Sequence, residues 1–258
     1  MRADVYLTAN GYAASRSQAK ALIDGGSVTV DGKVVKKASE DISEDAHTVK
    51  IQNALPYVGR GGLKLEAALD AFDVTVDSRR ALDIGASTGG FTDCLLQRGA
   101  SKVIAVDSGV GQLAASLRAD GRVESMENCN ARYLTANMIG GTVDLIVMDV
   151  SFISATLIIP CFSDLLGDTG DAVCLIKPQF EVGRSMIGKG GIVKDKKAHR
   201  FAIERVLESG KNAGLCPVGL IPSPIAGGDG NREFLVWFTK GRRELKPITE
   251  SEIRSLTV

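Results

Sequence analysis

The stretch Leu82-Asp83-Ile84-Gly85-Ala86-Ser87-Thr88-Gly89-Gly90-Phe91 constrains the fold more than any other part of this chain. An apolar run from Arg80 to Ile84 ends in small residues and gives way to a helical pattern from Phe91 to Arg98. The succession predicts strand, tight turn and helix. Gly85, Gly89 and Gly90 would leave the backbone of the turn open to a ligand. The helix start beyond them would offer unpaired N–H groups and the positive end of a dipole. Asp107 closes the next apolar run, Lys102 to Val106, where a carboxylate suits ribose hydroxyls. Phe91-Thr92 stands where a phosphate-binding loop needs Lys-Ser or Lys-Thr, and the glycines depart from G-x-G-x-x-G.

The alternation continues to the end of the chain. Strand-like runs fall at 80–86, 102–107, 123–126, 143–150, 172–177, 217–221 and 233–239, with helical patterns at 90–98, 111–119, 154–166 and 196–213. This order predicts an α/β fold with a parallel sheet between helical layers. Too few residues separate the last two strands for a crossover helix, so the last strand should run antiparallel. Ligands of such sheets bind beyond the carboxyl ends of the strands. Those ends carry a polar set: Asp107, then Asn130-Ala131, then Asp149 after Leu145–Met148, then Lys177 after Val173–Ile176. A charge closing an apolar strand is costly unless paired, so Asp149 and Lys177 read either as a structural ion pair or as parts of a site.

Residues 1–55 have a different character. Ala3 to Asn10 is a short helical pattern, and Ser15-Arg16-Ser17-Gln18 reads as a capping box. The helix behind it carries Ala19, Leu22 and Ile23 and should stop at Gly25-Gly26. Alternating residues on either side of Asp31-Gly32 predict a hairpin. The acidic run Glu40–Asp45 should face solvent at the end of this domain. Pro56 and Gly59-Arg60-Gly61-Gly62 read as a linker, which divides the chain into 1–55, 56–62 and 63–258, and the last part opens with a helical pattern over 63–72.

The 31 basic and 31 acidic residues cancel, so only local clusters could attract a polyanion. Arg2, Arg16 and Lys20 form one candidate; Arg184, Lys189, Lys194, Lys196, Lys197 and Arg200 form another, expected as a mobile loop beside Lys177 that either meets phosphate or is merely solvated. No apolar run approaches the ~18 residues of a membrane span, and Met1–Asp4 does not open a signal peptide. The five cysteines form no C-x-x-C pair, which argues against structural zinc; most lie in apolar runs and read as buried thiols of a reducing, cytoplasmic setting. His47 and His199 lack partners at metal spacing.

These motifs carry resemblances. Asp83 to Gly90 resembles the first motif of S-adenosylmethionine-dependent methyltransferases. Ser15, Arg16, Ala19, Leu22, Ile23, Gly26, Val28, Val30 and Gly32 match the S4 RNA-binding pattern. Lys64, Asp149, Lys177 and Glu233, in that order, resemble the tetrad of FtsJ/RrmJ-type ribose 2′-O-methyltransferases. Nearly the whole chain resembles the TlyA-type rRNA 2′-O-methyltransferases, also called hemolysins. The segments that carry this are Arg60–Leu65, Ala86–Thr92, Asp149–Ser154, Lys177–Glu181 and Gly230–Glu233. Tyr57-Val58-Gly59 departs from a linker position that is often aromatic or basic in that family.

The resemblance implies a small S4-like α+β domain followed by a Rossmann-like, seven-stranded class I methyltransferase domain. It implies S-adenosylmethionine as cofactor, S-adenosylhomocysteine as product, and no metal. The cofactor residues would be Asp83, Gly85, Ala86, Ser87, Thr88, Gly89, Gly90, Phe91, Asp107, Asn130, Ala131 and Asp149. Lys177 would act as base or hydroxyl-orienting group, with Asp149 and Glu233 aligning it and Lys64 placing the ribose or a phosphate. RNA would meet Arg2, Arg16, Lys20, Arg60 and Arg184. The implied partner is ribosomal RNA or a ribosomal subunit rather than a membrane. The implied target is a cytidine 2′-hydroxyl, in the large subunit if this is the short form that its brief lead suggests. Two other classes compete: an RNA-binding protein with an inactive methyltransferase domain, and a membrane-active cytolysin, for which no strongly basic amphipathic helix is present.

Overall fold

The computed structural model describes residues 1–13, 15–24, 26–43, 48–51, 56–227, 230–241 and 245–257. The expected helix stop at Gly25, the acidic Glu44 and Asp45, His47 and the expected domain end at residue 55 lie outside the described residues. The chain forms two compact units, Met1–Arg60 and Gly61–Val258.

In the first unit, α1 (Ala3–Ala9) and α2 (Arg16–Asp24) pack on a three-stranded antiparallel sheet of β1 (Val28–Val30), β2 (Lys33–Val34) and β3 (Val49–Ile51). Leu7, Ala19, Ile23 and Val28 lie at its centre, almost wholly removed from water. Ser15 Oγ accepts the N–H of Gln18 at 3.2 Å, as the capping pattern predicts. Asp31 and Gly32 both take positive φ, 46° and 78°, between the paired residues Val30 and Lys33. That is a two-residue turn whose twist matches the strands it joins. The third strand is a departure from the sequence reading. Three residues are too few to display an alternation, and β3 is set by pairing with the free edge of β1.

The second unit opens with α3 (Gly61–Phe72) and continues through β4 (Arg80–Ile84), α4 (Gly90–Gln97), β5 (Lys102–Val106), α5 (Ala115–Arg118), β6 (Val123–Met126) and β7 (Val143–Met148). It ends with α6 (Phe162–Leu165), β8 (Leu166–Ile176), α7 (Pro178–Glu181), α8 (Lys196–Asn212), β9 (Cys216–Pro222), β10 (Phe234–Thr239) and α9 (Glu250–Leu256). The seven strands lie in the order β6-β5-β4-β7-β8-β10-β9. All pairs are parallel except those of β10, which is antiparallel to β8 and to β9. β4, β5 and β7 are buried over nearly their whole length, which explains why they read as unbroken apolar runs.

Several elements differ from expectation. Gly61 and Gly62 belong to α3 rather than to a linker. A Cβ on Gly61 would stand 3.4 Å from the Phe91 ring and 3.8 Å from Asp149 Oδ2, ordinary contact distances, so the start of α3 packs against both. The helix expected over 111–119 shrinks to α5. The one expected over 154–166 breaks into two 3₁₀ turns and α6, with Pro160 inside the second turn. α9 was not anticipated, although Thr249 and Glu252 form a complete capping box at its start. Only Cys94 and Cys174 of the five thiols are buried; the other three are half-buried. Among the described residues no helix is long and apolar enough to cross a membrane.

Candidate active site

The sheet brings four charged groups to one edge. Asp149 follows β7 directly and Lys177 follows β8. Phe234 pairs with Ile176, so Glu233, just before β10, arrives beside Lys177. Lys64 stands in the first turn of α3, next to the Gly61 that approaches Asp149.

Their pairing corrects the sequence reading. Glu233 does not align Lys177; its Oε2 is held at 2.5 Å by Lys64 Nζ, and both side chains are buried. Lys177 Nζ lies 2.6 Å from Asp149 Oδ1 and donates to Ser151 Oγ at 2.8 Å. The contact with Asp149 is an ion pair without hydrogen-bond alignment, and the aligned bond of the amine goes to the serine. The site is therefore two lysine–carboxylate pairs plus a hydroxyl that the sequence reading missed.

The segment after β7 that carries Ser151 is firmly held. Glu181, on α7, accepts Ser154 Oγ at 2.5 Å and the Ala155 N–H at 2.7 Å, while burial pushes its carboxyl upward. Between these anchors Phe152 takes φ 64° and stands 92% exposed, its ring 5.4 Å from that of Phe180. A bulky side chain with positive φ is strained, and such strain survives only where the surroundings impose it.

Beside these groups lies a cavity of about 360 Å³. Gly85, Ser87, Asp107, Asn130, Ala131 and Asp149, all expected at a cofactor, line it, together with the apolar Ile84, Val106, Ile153 and Ile158. Asp107 accepts the N–H groups of Ser87 at 2.8 Å and Gly109 at 2.7 Å, which clamps the glycine-rich turn to the end of β5. Each of its oxygens keeps a second lone pair for a ligand.

The other expected cofactor residues, Asp83, Ala86, Thr88, Gly89, Gly90 and Phe91, do not line this cavity. Asp83 is fully buried: Oδ2 accepts Thr92 Oγ1 at 2.6 Å, and Oδ1 has no hydrogen-bond partner among the described residues. Burial, together with the Asp149 charge, pushes its carboxyl up to about 7. Phe91 packs toward Gly61. A larger hollow of about 630 Å³ runs along α8, lined by Phe201, Glu204 and Glu208, and none of the strand-end residues reaches it.

Gly85 proves to be required by the chain itself. Its φ is 84°, and a Cβ there would stand 2.5 Å from the Asp149 carbonyl oxygen. Gly85→Val should therefore cost about 2 kcal/mol or more of stability, from backbone strain and collision, besides any loss of ligand. A denaturation midpoint equal to that of the parent protein would refute this.

Part of the basic segment after β8 is tied to the rest of its unit by hydrogen bonds. Asn231, fully buried, accepts the Val193 N–H at 2.9 Å and donates to the Gly191 carbonyl at 3.0 Å. His199 bonds the Val193 carbonyl at 2.9 Å, and Asp195 caps α8. Arg184, Lys189, Lys194, Lys196 and Lys197 remain exposed at its surface, whereas Arg200 is paired with Glu204 and Glu250.

In the first unit Arg2, Arg16 and Lys20 line one open groove. Lys36 and Lys37 line it too; the sequence reading missed them, although both close the basic run that begins at Lys33. Arg60 is exposed at the end of that unit.

Comparison with known proteins identifies the family of both units. The FtsJ-like methyltransferase family matches residues 57–240, and the S4 domain family matches residues 1–47. The chain is 45% identical over 237 residues to the 16S/23S rRNA (cytidine-2′-O)-methyltransferase TlyA of Mycobacterium tuberculosis, covering 92% of this chain and 88% of that one. It is 42% identical to Hemolysin A of Brachyspira hyodysenteriae, covering 92% and 99% respectively. A solved chain from Streptococcus thermophilus that bears a hemolysin name superposes with a TM-score of 0.78 at 41% identity, covering 100% of this chain and 94% of that one.

Proposed function

Since this chain belongs to the FtsJ-like methyltransferase family and carries an S4 domain ahead of its methyltransferase unit, we propose that it methylates the 2′-hydroxyl of a cytidine in ribosomal RNA with S-adenosylmethionine. The observation that carries this reading is the gathering of Lys64, Asp149, Lys177 and Glu233 at one sheet edge beside the cavity. The Mycobacterium relative bears the same activity in its name. Hemolysin is a second label within the same family.

The lining of the cavity suits the chemistry of the cofactor. Asp107 offers a carboxylate to ribose hydroxyls, and Ile84, Val106, Ile153 and Ile158 offer an apolar seat for a base. Gly85 and Asp149, next to Lys177, would receive the cationic end. Bound there, the cofactor supplies an electrophilic methyl group. The rest of the chemistry falls to the chain's own side chains. Lys177 already holds a hydroxyl, that of Ser151, at 2.8 Å. A ribose 2′-hydroxyl is the same kind of group and would take that bond. As its oxygen is methylated its proton must leave: the Asp149 carboxylate takes it directly, or the Lys177 amine takes it after first giving up one of its own protons. Alignment of the hydroxyl contributes independently of the proton. The Lys64–Glu233 pair ties the start of α3 to the start of β10 behind these groups. In the first unit, the groove of Arg2, Arg16, Lys20, Lys36 and Lys37 would grip the RNA backbone. A ribosomal RNA substrate supports a cytoplasmic site of action.

The test is direct. Ribosomal RNA from both subunits is incubated with the protein and labelled S-adenosylmethionine, then digested to nucleosides. Label is expected in 2′-O-methylcytidine; label absent from it in both RNAs would overturn the reading. In the same assay Arg16→Ala should weaken RNA binding and lower the salt slope by about one counterion. An unchanged slope would remove Arg16 from the phosphate contacts.

A further inference from the structure

The basic groove of the first unit has a carboxylate built into it. The Asp4 side chain is 7% exposed, while Arg2 and Arg16 above it are 51% and 60% exposed. It is covered by its own partners rather than by a core. Arg2 Nε and Nη2 donate to Asp4 Oδ1 and Oδ2 at 3.0 and 3.2 Å. Arg16 Nη2 and Nε donate to Oδ2 at 2.7 and 3.2 Å. The two guanidiniums hold this carboxyl far below the usual range, so it stays ionised wherever RNA is bound. The Asp4 main chain joins the opposite wall as well. Its N–H donates to the Ala38 carbonyl at 3.1 Å, and the Ala3 N–H donates to the Glu40 carbonyl at 2.7 Å. Glu40 Oε2 in turn accepts the N–H groups of Lys36 at 2.9 Å and Lys37 at 3.4 Å. Asp4 is thus the point where α1, the Arg16 of α2 and the Lys36–Lys37 wall are fastened together.

Resting on the RNA reading above, we infer that Asp4 is a specificity-determining positioning residue. It fixes two guanidinium planes so that they meet phosphates at the one spacing that the folded target RNA presents and a scrambled strand does not. An unattached arginine loses rotamer freedom when it binds; one already held in a fork loses much less. Each guanidinium has five N–H donors and spends two on Asp4, which leaves the others for phosphate oxygens. Charge counting alone makes the opposite forecast, because an acid in a cationic groove repels a polyanion. Asp4→Asn separates the two. If Asp4 were only opposing charge, its removal would tighten RNA binding.

The experiment measures binding of the full chain to two RNAs at several salt concentrations. One is an rRNA fragment that the wild type methylates, the other a scrambled RNA of equal length. Asp4→Asn is expected to weaken binding of the methylated fragment by about fivefold to tenfold, the usual scale for coupled neighbours, and to change the scrambled RNA little. In an Arg2→Ala/Arg16→Ala background the same substitution should have no further effect, since Asp4 acts through those arginines. Equal or tighter binding of the fragment by Asp4→Asn overturns the inference. So does an equal loss for both RNAs, or an added loss in the double-arginine background, since either would mark mere damage to the fold. If the wild type binds no rRNA, the functional reading itself fails, and that outcome is distinct from the others.

Discussion

Lys177→Ala should slow methyl transfer by ~100-fold or more under single-turnover conditions, the usual scale for losing a general base or aligning group. Binding of S-adenosylmethionine and of RNA should survive, because the amine meets Asp149 and Ser151 and the substitution adds no bulk. Lys177→Arg then separates two roles. Arginine keeps the charge and the donors but does not deprotonate. Near-parental turnover in Lys177→Arg would exclude proton abstraction by this residue and leave orientation of the hydroxyl. Normal turnover in Lys177→Ala would sink the proposed site as a whole. Ser151→Ala is the companion measurement. If Ser151 only occupies the bond that the ribose hydroxyl takes, its loss should leave the rate of transfer close to the parent's.

Lys64→Ala should have the largest effect on stability. Glu233 is 2% exposed and its carboxylate is held by Lys64, which is itself 10% exposed. Removing the lysine strands a buried negative charge, a change that costs about 3–5 kcal/mol. Denaturant titration would show this as a lower midpoint. Lys64→Met combined with Glu233→Gln removes both charges and keeps most of the volume, so it should recover much of that loss. The rate of methyl transfer decides what else the pair does. Recovery of stability without recovery of turnover would give the pair a part in placing the substrate. Recovery of both would make it a structural tie alone, and the four-residue site would shrink to Lys177 and Asp149. A Lys64→Ala protein as stable as its parent would contradict the burial of Glu233.

Local physics made much of this molecule legible. Unbroken apolar runs separated by helical periods marked β4, β5, β7 and β8 as buried parallel strands, because a strand covered on both faces has no polar side to show. The short connection before Glu233 forced β10 to run antiparallel. Asp31-Gly32 announced its own turn, since few other residues accept positive φ twice in succession. Asp149 and Lys177 were legible as candidates because a charge closing an apolar strand needs a reason, whereas Lys64 and Glu233 became candidates through the resemblance to the tetrad. The partners of all four were not legible. Lys64 and Glu233 lie 169 residues apart in the chain, and nothing local to either distinguishes that pairing from one between Glu233 and Lys177. The choice depends on strand order and register, and on α3 entering the site from its N-terminal end. The same holds for Gly85, whose requirement comes from the Asp149 carbonyl one strand away. It holds too for Gly191 and Val193 in the basic segment after β8, which Asn231 binds from 40 and 38 residues away. The sequence by itself determined the main strands and helices, their order and most of the candidate site residues, because these follow from periodicity, from the cost of burying charge and from motif resemblance, while β3, α9 and Ser151 did not show in it. Only the tertiary structure decided which amine meets which carboxylate and which hydroxyl joins them, because a side chain's partner is set by chain that is distant in sequence and adjacent in space.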